Sequence, residues 1–172
     1  LGIMDRTVML DLEKINNVYT KLNIQDKDYN LHFTLANPMV IEDVGKVNEP
    51  QEYDVVASID SEQMTSFTKA RNALSKDMTS VKVSTTEDFS GTQLLQFEMG
   101  NMSNYSNKIT FTLPATVNQE VEAVYNSDVI RDILMVNKEM DEGFISIKKE
   151  GLMKISFSSE DTEITYFTLK NS

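Results

Sequence analysis

The chain has 172 residues, 40% of them hydrophobic and 25% charged, enough to bury an ordinary core in one large or two small domains. Its 16 Lys and Arg against 27 Asp and Glu give a formal net charge of −11, which argues against coating nucleic acid or anionic membrane through a global basic face. Cysteine is absent, which excludes disulfides, thiolate metal sites and cysteine catalysis and fits an intracellular, cytoplasmic protein. No apolar run reaches membrane-spanning length, so no membrane partner is expected.

In chain order, RTVML at residues 6–10 is a short strand leading into Asp11. Leu12, Ile15, Val18, Tyr19 and Leu22 then recur at helical spacing, which predicts a helix over residues 11–22. A polar turn at 26–30 precedes the alternating run Leu31–Leu35, where His32, the single histidine, reads as an outward polar position of a strand. Pro38 interrupts, and residues 39–44 are extended again. Residues 45–52 (GKVNEPQE) are polar and without period, and read as a linker.

A second unit opens with a strand at 53–59, and Asp60-Ser61-Glu62 supplies the chemistry of a helix start. Met64, Phe67, Ala70 and Leu74 line one helical face. Period two returns at Val81/Val83, Leu95/Phe97/Met99 and Ile109/Phe111/Leu113, and Pro114 is expected to end the last strand. The third unit repeats the plan. A strand from Val121 meets Asn126-Ser127-Asp128, and Val129, Ile130, Ile133, Leu134 and Asn137 follow a helical period. Three strands carry Ile145/Ile147, Ile155/Phe157 and Ile164/Tyr166/Thr168. MLDLEKI, ASIDSEQM and AVYNSDVI are the three junctions of a strand–helix–strands repeat. The predicted class is α+β, with antiparallel sheets packed on helices. Residues 53–172 form one two-unit domain, and residues 1–44 form the second half of a preceding domain whose first half lies outside the chain.

Catalysis finds no support. The acidic residues are scattered over turns, no loop has the spacing of a calcium-binding hand, and the glycines lie between strands without a phosphate-cradling motif. Serine has no histidine partner other than His32. No enzyme activity, metal or cofactor is therefore expected. One feature is more specific. Each predicted helix carries basic residues seven positions apart, away from its apolar stripe: Lys14 and Lys21, Lys69 and Lys76 with Arg71 nearby, and Arg131 and Lys138. Positions i and i+7 lie nearly above one another on a helix. These are either ordinary surface cations or a set of phosphate-facing ones.

The runs SEQMTSFTKARNAL, TSVKVST, LLQFEM and KITFTLP are similar to those of the DNA sliding clamps, the polymerase processivity factors, and within them the trimeric phage type. YNSDVIRDILMVNKEMDEGFISIKKEGLMKISF and the closing TEITYFTL resemble the last clamp helix and its strands. The resemblance implies a ring, a homotrimer in the intact protein, with sheets outside and helices inside, encircling duplex DNA and tethering DNA polymerase after a clamp loader has placed it. It implies that Lys14, Lys21, Lys69, Arg71, Lys76, Arg131 and Lys138 face DNA. It also implies a partner-peptide pocket at Pro38, Met39 and Ile41 with Tyr166, Phe167 and Leu169. The alternative is a β-rich phage or cellular adaptor or structural protein without a DNA role, in which the helices would be buried between sheets.

Overall fold

A computed structural model describes residues 7–37, 48–100, 107–140, 142–159 and 162–171. The chain divides into two units, Leu1–Glu49 and Pro50–Ser172. Among the described residues, unit 1 is a three-stranded antiparallel sheet of β1 (Met9–Ile15), β2 (Val18–Gln25) and β3 (Asn30–Thr34), in that order.

The helix expected at 11–22 is thus a correction: those residues form a hairpin. Asn16 and Asn17 both have positive φ, 51° and 67°, the geometry of a tight primed turn that asparagine tolerates. Such a turn reverses the chain where a helix would have to continue. The cross-strand pairs Leu10↔Ile24 and Leu12↔Leu22, then Ile24↔Leu31 and Leu22↔Phe33, place six apolar side chains on one face. The register shift between Glu13 and Lys14 breaks the alternation and let these residues imitate a helical period.

Unit 2 holds two copies of a strand, a helix and three strands. The first is β4 (Val55–Asp60), α1 (Ser61–Asn72), β5 (Ser80–Glu87), β6 (Gln93–Met99) and β7 (Ile109–Val117). The second is β8 (Glu122–Asn126), α2 (Ser127–Val136), β9 (Glu142–Ile147), β10 (Leu152–Ser158) and β11 (Glu163–Leu169). Among the described residues they merge into one eight-stranded sheet, ordered β11-β10-β9-β4-β7-β6-β5-β8. Each repeat's first strand pairs with the other repeat's second: β4 with β9 and β8 with β5.

Both helices start where the local chemistry demands. Asp60 accepts from the Gln63 N–H while the Gln63 side chain accepts from the Asp60 N–H, a reciprocal capping box. Asn126 accepts from the N–H groups of Asp128 and Val129. Pro114 does not end β7. It sits at the last β6 pair, Leu94↔Pro114, and β7 then passes to β4 through Ala115 and Val117, so the missing N–H falls where the strand changes neighbours.

One core lies between the helices and a single face of the sheet. Met64 and Phe67 of α1, and Ile130 and Leu134 of α2, are fully buried with Val81, Leu95, Phe97, Ile145, Ile155 and Phe157. Ile109, Phe111 and Ile133 are partly buried against them. The Phe67 ring meets Phe97 and Phe111 edge-on at 5.5 Å each, tying α1 to β6 and β7. A Cβ on Gly143 would stand 2.6 Å from the Phe157 ring, so only glycine lets that ring lie across β9.

Candidate nucleic-acid interface

The two helices run antiparallel, side by side. At one end the Arg71 guanidinium of α1 pairs with Asp128 of α2 at 3.0 Å, and at the other the Ser61 hydroxyl donates to the Lys138 carbonyl at 2.6 Å. This geometry brings the cations predicted from the second and third repeats together around one helix pair. Lys69 is on α1, whereas Lys76 and Lys138, expected on the helices, lie in the turns beyond the ends of α1 and α2; all three are exposed and carry no ion pair among the described residues. Asp77 and Glu139 follow two of them in sequence, so the local excess of positive charge is modest.

Arg131 is three-quarters covered and held by carboxylates on both sides. It reaches Asp128 at 2.7 Å and Asp132 at 2.7 Å. Arg71 differs from the expectation of an exposed cation. It is 2% exposed, because 64, 67 and 71 fall on the buried face of α1, and at the end of that face it meets Asp128 of α2. Besides Asp128 it donates to the Ser75 carbonyl at 3.3 Å. It joins the two helices: a carboxylate and a carbonyl answer its two terminal nitrogens, while its Nε is buried without a hydrogen-bond partner.

Arg71, Asn72, Leu74, Lys76, Asp128 and Arg131 line a recess of about 440 Å³ between the C-terminal end of α1 and the start of α2. Asp128 is the residue the sequence reading missed. Its signal was present in its first-turn position and in Arg131 three residues on, which share one helix face.

Lys14 and Lys21 are corrected: neither is on a helix. Lys14 lies 4.2 Å from the centre of the Tyr19 ring and Lys21 pairs with Glu13 at 3.5 Å, both on strands of unit 1. The Asn23 amide, and then the Lys21 charge, hold the Glu13 carboxyl below the usual carboxylate range. Of the predicted peptide pocket, Pro38, Met39 and Ile41 lie outside the described residues. The other three do not share a face. Tyr166 pairs with Ile155 on the core side, where its ring packs on Phe157 and its hydroxyl accepts from Asn137 at 3.3 Å. Phe167 pairs with Lys154 and Leu169 with Leu152 on the opposite side. Among the described residues there is no group of three His, Asp or Glu side chains that could hold a metal ion, and no helix long and apolar enough to cross a membrane.

Two strand–helix–three-strand repeats fused into one antiparallel sheet, with their helices paired on one face, define the sliding-clamp fold, and the chain has it. It is similar in structure to the proliferating cellular nuclear antigen of Entamoeba histolytica, with a TM-score of 0.66 and 15% identity over 99% of this chain and 67% of that one. It is likewise similar to the PCNA2–PCNA3 complex of Sulfolobus tokodaii, with a TM-score of 0.69 and 15% identity over 98% of this chain and 67% of that one. No family model and no curated protein sequence matches it.

Proposed function

We propose that this chain belongs to a DNA sliding clamp: a non-enzymatic ring that encircles duplex DNA in the cytoplasm and tethers a DNA polymerase during replication. The observation that carries this reading is the pair of antiparallel helices on one face of the sheet, with Lys69 on α1 and Lys76 and Lys138 in the turns that follow α1 and α2, none of them ion-paired among the described residues, in a chain of net charge −11. A few unpaired cations on a protein that otherwise repels DNA suit a contact that slides, since each phosphate contact is weak and topology supplies retention. Helices paired on one face also favour this reading over the β-rich adaptor, which would bury them between sheets.

Unit 1 is proposed to be the second half of a clamp-like domain, its six-residue apolar face the seam for another half. The ring is proposed to be a homotrimer of the phage type, placed on DNA by a loader. The segment Ile109–Leu113 supports ring closure. It pairs with β6 on one side, while β4 reaches only Val117, Thr116 and Ala115 on the other, which leaves a strand edge able to accept a neighbour. Sedimentation of the native protein as a trimer is the expected result, and a monomer at every concentration overturns the ring.

The lining is tested by replacing Lys69, Lys76 and Lys138 together with Ala. Stimulation of the cognate polymerase on a primed circular template should fall by about tenfold, with the melting temperature unchanged. Unchanged stimulation removes these lysines from the DNA-facing surface.

A further inference from the structure

We propose that the tip of the β5–β6 hairpin is a docking knob for a partner protein: the Phe89 ring enters an apolar pocket of the partner, and a lysine or arginine of the partner enters the acidic recess just beneath the loop. This inference does not depend on the clamp reading. Phe89 is 114% exposed, whereas the next most exposed large apolar side chain described in unit 2, Val136, is at 73%. Covering this ring would remove its whole apolar surface from water, a favourable change on binding.

The loop that carries Phe89 is built to hold it there. Asp88 is the hub: its carboxylate accepts from the Ser90 N–H at 2.8 Å, the Ser90 hydroxyl at 2.6 Å and the Thr92 N–H at 2.9 Å. The backbone closes with Asp88 N–H to Thr92 carbonyl at 3.0 Å and Gly91 N–H to Asp88 carbonyl at 3.1 Å. Gly91 takes φ +83°, which a side chain would resist. The Ser90 hydroxyl, and then the Thr92 and Ser90 N–H groups, hold the Asp88 carboxyl below its usual range, so the hub stays ionised through neutral pH. A loop so bonded loses little freedom when its tip is seated, the property that favours a preorganised anchor.

The chemistry around the ring selects the partner. Glu87 and Gln93 form the last pair of the hairpin, directly beneath the loop. With Thr85, Thr86, Val117 and Glu120 they line a recess of about 120 Å³, room for the head of one cationic side chain. Neither Glu87 nor Glu120 has an ion pair among the described residues. Carboxylates beside an exposed ring repel phosphate, which disfavours base stacking on nucleic acid and insertion into anionic lipid. They attract a protein surface on which cations rim an apolar pocket.

The probe is a random dodecapeptide library displayed on phage and selected against the whole chain, followed by anisotropy titrations with the selected peptides made synthetically. The expected peptides combine Lys or Arg with large apolar residues. They bind Phe89→Ala about tenfold more weakly and Phe89→Leu nearly as well as the parent. They bind Glu87→Gln/Glu120→Gln more weakly with a flatter salt dependence. Melting temperatures of all variants should match the parent, since Phe89 packs on nothing. A selection that yields no binder, peptides indifferent to Phe89→Ala, or peptides without cations overturns the proposal. Phe89-dependent binding of oligothymidylate or of phosphatidylserine vesicles overturns it equally, because it assigns the ring to another class of ligand.

Discussion

Unit 1 and unit 2 use the same strand chemistry and finish it differently. In unit 2 every strand run is headed by a capped helix, and the helices close one face of the sheet so that Phe67, Phe97, Leu95 and Ile155 are wholly dry. In unit 1 an equally clear apolar face of Leu10, Leu12, Leu22, Ile24, Leu31 and Phe33 has no helix over it among the described residues. There Leu10 remains 62% exposed and Leu12 48%. Alternation therefore specifies which face of a sheet is apolar. Stability comes only when a second layer removes that face from water.

The largest break in this contrast should come from the aromatic cluster. Phe97→Ala deletes a ring packed on Phe67 and Phe111 and should cost about 4 kcal/mol in urea unfolding, whereas Leu12→Ala in unit 1 should cost well under about 1 kcal/mol. A Leu12→Ala loss as large as the Phe97→Ala loss would show that the unit 1 face is covered.

Next in size is the helix seam. Asp128→Ala strands the buried Arg71 without its carboxylate and should cost about 3 kcal/mol; adding Arg71→Met should restore most of it. If the double variant is no better than the single, the Arg71–Asp128 pair is not what joins the helices.

A smaller effect concerns Asp54, which holds the start of β4 to the β9–β10 turn. It accepts from the Lys149 N–H at 2.8 Å and from Lys148 Nζ at 3.2 Å. The Lys149 backbone bond, and then Lys148, keep its carboxyl below the ordinary 3.8. A depressed folded value means stabilisation that is complete above the unfolded value and lost as pH falls through the folded one. Asp54→Asn should thus cost about 1–2 kcal/mol at neutral pH, and the two proteins should converge in strong acid. A constant difference at all pH values would mean that packing, not charge, is responsible.

The smallest effect sharpens the description of unit 1. Asn17→Gly relieves a positive φ of 67° and should slow amide exchange in β1 and β2 by a factor corresponding to about 0.5 kcal/mol, without altering unit 2. Faster exchange would contradict the primed turn.

Helix starts and the unit 2 core were determined by the sequence itself, because their causes are local. A capping box needs only residues 60 and 63, and an Asx cap only 126 to 129. Periods of two and 3.6 mark the inward positions of Val81, Leu95, Phe97, Met64 and Ile130 whatever those positions pack against. Tertiary structure decided the rest. Residues 11–22 satisfy a helical spacing as well as a bulged hairpin, and only pairing of β2 with both β1 and β3 breaks the tie. Tyr166 and Phe167 are neighbours in sequence and strangers in space, because a strand sends them to opposite faces. Lys69 and Arg71 are both cations near one helix end, yet α2 covers only the second. Charge is written in the sequence, but whether it meets water, a carboxylate or a phosphate depends on what the fold brings beside it.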